Sequence, residues 1–144
     1  MPKFSEDSAA RLSRAHFLLQ KLMNEAIKEF DFCILSSQRG RADQEKAFKL
    51  GHTKVHFGNS AHNWKPAIAL DIAPLPVDWK NHKPFHVLQL EVIKPLAKKL
   101  GIPIRQGIDW DMDGQTTDET FIDLPHVELH PWREWAKKAR PFEG

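Results

Sequence analysis

The chain has 144 residues, 41% of them hydrophobic, with five tryptophans and a formal net charge of +2. That length suits one domain spanning 1–144, and the apolar content excludes a disordered chain. The charge is too small to point to nucleic acid, no run approaches a transmembrane helix, and the N-terminus lacks the basic-then-apolar pattern of a secretory signal.

In chain order, Ser5 and Ser8 both suit the cap of a first helix. Its apolar stripe is Leu12, Ala15, Leu18, Leu19, Leu22, Met23, Ala26 and Ile27, which predicts a helix to about Glu29. Phe32-Cys33-Ile34-Leu35 reads as a short buried strand, with Cys33, the only cysteine, as a core filler. The strand runs into a polar turn carrying Arg39, which would hold a carboxylate or a developing oxyanion, or else sit in a surface salt bridge. Ala42–Leu50 predicts a helix closed by Gly51, with Ala47, Phe48 and Leu50 facing inward and Gln44 one turn before Phe48. His52 and His56 follow in a Gly- and Asn-punctuated loop.

The next stretch, Ser60 to Asp71, holds the first cluster with chemistry in it. From Ala67 the residues alternate: Ile68, Leu70 and Ile72 take one face, and Ala67, Ala69, Asp71 and Ala73 the other. A carboxylate among alanines has room beside it and needs a partner. A metal ion is one such partner, with His62 as a second ligand; an ordinary hydrogen-bonded pair is the alternative. Prolines 74, 76 and 84 then carry the chain to a helical pattern over Val87–Leu100, ended by Gly101 and interrupted by Pro95. Ile102-Pro103-Ile104-Arg105 predicts an edge strand.

Asp109, Asp111, Asp113 and Gly114 match the first half of a calcium loop. The acid expected at its twelfth position is replaced by Thr120, and Asp118 and Glu119 are out of register. A looser Ca2+ site is one reading; a polar turn presenting Trp110 is the other. Phe121–Leu129 predicts a strand broken at Pro125, carrying Asp123 and His126. Two histidines and a carboxylate with an open fourth position form the ligand set of a catalytic zinc site, and the remaining carboxylate can act as general base. His130 shares a face with His126 and competes as third ligand. Pro131 predicts the start of a last helix with Trp132, Trp135, Ala136 and Ala139 buried, and Lys137, Lys138 and Arg140 complementing its C-terminal dipole.

Ser36-x-x-Arg39, a Gln-containing helix ending in Gly, Ser60-x-His62 followed by Asp71, and Asp123-x-x-His126-x-Glu128-Leu129 together resemble the M15 zinc peptidases. These include D-Ala-D-Ala carboxypeptidases and dipeptidases and phage L-alanyl-D-glutamate endolysins, and the short chain is most similar to the last. The loop between His62 and Asp71 is longer than in many members. The resemblance implies an α+β fold of the D-Ala-D-Ala carboxypeptidase and Hedgehog type, a small antiparallel sheet flanked by helices. It implies Zn2+ on His62, Asp71 and His126, Asp123 as general base and acid, and Arg39 on the oxyanion. Gln44, Ser60 and Trp110 would shape the cleft, and Ca2+ would suit Asp109, Asp111 and Asp113.

The function so implied is hydrolysis of the L-Ala-D-Glu bond of peptidoglycan stem peptides during host lysis. The protein would act as a monomer, without nucleic acid or stable membrane association, and collect in the host cytoplasm before release to the wall. The alternatives are a D-Ala-D-Ala carboxypeptidase or dipeptidase, and a non-catalytic zinc-stabilised wall-binding module.

Overall fold

The computed structural model describes residues 2–113 and 122–144. Ser5 caps α1 (Glu6–Leu12), its hydroxyl accepting the Ser8 amide. Ser8 is no cap: its buried hydroxyl accepts the Ile34 amide at 3.0 Å and ties the helix to the first strand.

The single helix predicted to Glu29 is broken. Ala67 clamps the chain there, donating to the Arg14 carbonyl at 3.0 Å and accepting the His16 amide at 2.9 Å. His16 then starts α2 (Phe17–Ala26) by accepting the Leu18 amide on Nδ1. Leu19, Leu22, Met23 and Ala26 of α2 are buried, the face the sequence pattern selects.

The sheet contains β1 (Phe32–Ser36), β3 (Ala69–Pro74), β4 (Ile104–Gln106) and β5 (His126–Leu129), in the order β1-β3-β5-β4 and antiparallel throughout. A smaller pair joins β2 (Trp64–Lys65) to β6 (Arg140–Pro141). A small antiparallel sheet with helices around it is the α+β fold expected. β3 is an inner strand covered on both sides, so Ala69 and Ala73 are as buried as Leu70 and Ile72. β4 stands at the end of the sheet beside β5, the edge position foreseen beside Pro103. Cys33 on β1 is half-buried, and burial pushes its thiol up.

α3 (Arg41–Lys49) ends near Gly51, whose φ of 78° is left-handed as expected. Its inward face is not the one predicted. Phe48 is 37% and Leu50 58% exposed, and the buried α3 side chain is Gln44. Phe48 instead stacks on His56, which pairs with Glu45 at 2.8 Å.

The 83–100 stretch is one helical run, α4 (Lys83–His86), a π-helical segment (Val87–Ile93) and α5 (Lys94–Leu100), closed by left-handed Gly101. Pro95, lacking an N–H, follows the widened turns directly. The last helix is shorter than predicted: α6 (Trp132–Ala136) ends before Ala139, Lys138 and Arg140. Arg140 is drawn into β6 by pairing with Lys65. Of the calcium-type loop, Gly114, Asp118, Glu119 and Thr120 lie outside the described residues, as does Phe121 of the predicted strand. Among the described residues, no helix is long and apolar enough to cross a membrane.

Candidate metal centre and cleft

Strand register assembles the site. A bulge in β1 between Ile34 and Ser36 brings Ser36 opposite Asp71, and across the next ladder Asp71 pairs with His126. Three neighbouring strands therefore place Ser36, Asp71 and His126 in one row. His62 comes from a single 3-10 turn, Ala61–Asn63, capped by Ser60. Asn63 holds that turn from below, its Oδ1 accepting the amides of Gly58 and Ser60.

His62 Nε2, His126 Nδ1 and Asp71 Oδ1 converge. The separations are 3.3 Å between the histidines and 3.4 and 3.5 Å from each to the carboxylate. The opposite ring nitrogens fix the tautomers. His62 Nδ1 donates to the Ser37 carbonyl at 2.8 Å, which leaves Nε2 a lone pair. His126 Nε2 faces Glu128 Oε1 at 2.7 Å, so in the neutral ring Nδ1 is the acceptor. Asp71 Oδ2 accepts from Ser36 at 2.7 Å, yet among the described residues buried Oδ1 has no hydrogen-bond partner.

Three acceptors aimed at one point with an orphaned buried oxygen call for a cation. A tetrahedral ion with bonds of ~2.0–2.1 Å needs ligand separations of ~3.3–3.4 Å, and the observed spacings fit. His130 is not among the converging groups; its backbone is tied to Pro103 and Trp135.

Electrostatics follow from burial and neighbours. Burial opposes charge on Asp71, but His62 and His126 hold its carboxyl well below the usual range. Burial lowers His126, but the neighbouring Asp71 and Glu128 carboxylates outweigh it, raising the imidazole to about 10 when no metal is present. A proton and a metal ion thus compete for one nitrogen. Burial also acts against ionised Glu128, which His126 and Arg105 nevertheless keep low. Asp123 is pushed up, first by burial and then by the charge of Asp71. A raised carboxyl beside the triad is suited to take up and return a proton.

The turn bearing Asp123 and His126 is gripped by backbone. Asp123 donates to the Gly107 carbonyl and Gly107 donates to His126, both at 2.9 Å. Gly107 is required by this closeness: a Cβ there would stand 2.3 Å from the Asp123 carbonyl oxygen. Gln89, buried in the π-helical segment, adds a bond to the Leu124 carbonyl at 2.9 Å. Neither Gly107 nor Gln89 stood out in the sequence.

Arg39 lies within 3.6 Å of Asp71 Oδ2. Its Nη1 donates to Gln44, whose Oε1 also accepts from Asn63 and whose amide reaches the Val55 carbonyl. Gln44 is fully buried in this knot and holds Arg39 in place without lining the cleft. Ser60 and Trp110 do line it, and the Trp110 ring lies 5.0 Å from that of His126.

The cleft has two arms that share Arg39, His52 and Asp123. One, of about 440 Å³, is lined by Trp110, Arg105, Lys54 and Arg133 among others. The other, of about 810 Å³, is lined by Asp71, Trp79, His82, His86 and Leu124 among others. Elsewhere, carboxylate oxygens of Asp109, Asp111 and Asp113 lie within 4.8 Å of one another, a second group able to hold a cation.

Residues 1–130 match the family described as phage L-alanyl-D-glutamate peptidase. The chain belongs to that family. An L-alanyl-D-glutamate peptidase of Escherichia phage T5 is 29% identical over 135 residues, covering 88% of this chain and 97% of that protein. The crystal structure of the Serratia marcescens L-Ala D-Glu endopeptidase ChiX shares the fold. It has a TM-score of 0.73 and 20% identity and covers 93% of this chain and 94% of that one.

Proposed function

We infer that this family member is a zinc-dependent peptidase that hydrolyses the L-Ala-D-Glu bond of peptidoglycan stem peptides. The observation that carries the metal is the meeting of three lone-pair atoms, with Asp71 Oδ1 otherwise unpartnered among the described residues. His62, Asp71 and His126 would hold the zinc ion, which when bound would acidify a water and polarise the scissile carbonyl.

The chain's own residues do the rest. Asp123, raised by burial, accepts the proton of the attacking water and returns it to the departing amine. Arg39, fixed by Gln44, faces the negative charge that develops on the carbonyl oxygen. Ser37 and Glu128 hold the two imidazoles in the tautomers that present lone pairs. Ser60 shapes the wall of the cleft beside the His62 turn, and Trp110 forms the wall over His126.

The reading extends to lysis: the protein acts as a monomer, collects in the host cytoplasm and reaches the wall once the membrane is breached. Asp123→Ala tests the chemistry. It should abolish release of wall peptides while zinc binding and thermal unfolding stay near wild type. Full activity in that variant would sink the base assignment.

A further inference from the structure

We propose that Arg133 is the specificity-determining cation that receives the spare carboxylate of the substrate's D-Glu; this rests on the hydrolytic reading above. The two arms of the cleft differ in charge. Of the two arms, Lys54, Arg105 and Arg133 line the smaller one and not the larger, whose lysines and arginines among the described residues are limited to the shared Arg39. The substrate is asymmetric in the same sense. A glutamate on the leaving side of the scissile bond keeps one carboxyl outside the peptide chain, whichever carboxyl continues it. The L-Ala side brings no such charge.

Within the smaller arm the arginines are not equivalent. Arg39 lies beside Asp71, and Arg105 is bound to Glu128 at 2.9 Å. Among the described residues, Arg133 has no carboxylate partner. Its Nη2 donates to Asn59 Oδ1 at 3.2 Å, and its guanidinium rests over the Trp132 ring at 4.4 Å. Those contacts hold a planar, doubly donating cation in the arm and leave N–H groups for a bidentate carboxylate.

The test uses zinc-loaded full chain and two synthetic L-Ala-γ-D-Glu-L-Lys peptides, the spare carboxyl free in one and amidated in the other. Wild type should favour the free acid by about tenfold in kcat/KM, the scale of one charge-assisted contact at a partly open site. Arg133→Gln should lose that preference by falling only on the acid. Arg133→Lys should keep part of it, and added salt should shrink it. Equal wild-type rates on both peptides, or an equal fall on both in Arg133→Gln, would overturn the assignment. Failure of wild type to cleave either peptide would strike the hydrolytic reading itself, and this inference with it.

Discussion

Gly107→Ala would place a Cβ 2.3 Å from the Asp123 carbonyl oxygen, 2.8 Å from Asp123 Cβ and 2.9 Å from His126 Cβ. Ordinary contact begins at 3.4 Å, so backbone must part by about 1 Å between residue 107 and the Asp123–His126 turn. That movement strains the two 2.9 Å hydrogen bonds joining them. Overpacking of this kind costs about 1–3 kcal/mol, or roughly 3–10 °C in melting temperature at this chain length. The larger effect falls on chemistry, because the turn carries both the base and a metal ligand. A displacement of that size lowers turnover by on the order of a hundredfold. Thermal unfolding, zinc affinity by chelator competition and peptide release from purified wall would be measured together. Unchanged melting and unchanged turnover would refute the view that this contact sets the site.

Three further outcomes are expected. Zinc affinity should rise by up to about tenfold per pH unit between roughly pH 6 and pH 8, because binding displaces the proton that metal-free His126 holds with a pKa of about 10. In chelator-treated protein that same raised pKa stabilises the fold fully below the unfolded value of about 6.5, and the gain fades as pH rises through about 10. Melting curves across that range read the sign, and a pH-independent zinc affinity would contradict it. Gln44→Leu should cost about 1–3 kcal/mol by stranding the Val55 carbonyl and Arg39. It should also lower kcat about tenfold or more with zinc affinity intact; an unaltered kcat would show that Arg39 needs no such support.

The polar motifs were legible because their side chains are dictated by chemistry. A histidine, an aspartate among alanines and a second Asp/His pair announce a shared centre wherever the chain crosses itself. Local punctuation was legible as well: Gly51 and Gly101 end their helices in left-handed conformations. The break before Phe17 was not, since residues 13–16 are compatible with helix and only Ala67, distant in sequence, diverts their hydrogen bonds. The inward face of α3 was misjudged for a related reason. A buried amide bridging Arg39, Asn63 and Val55 outweighs the apolar pattern of Phe48 and Leu50, and a lone glutamine in a helix carries no sign of such partners. Gly107 was hidden because close approach of two backbones leaves no pattern in either one.

The most direct test is mass spectrometry of the products released when the purified protein meets purified peptidoglycan, with and without a chelator. New free L-Ala carboxyl ends and D-Glu amino ends, lost on chelation and restored by zinc, are the expected result. Released D-Ala would contradict the bond assignment in favour of a carboxypeptidase. The absence of any product under any metal would contradict catalysis by Asp123 and Arg39 altogether.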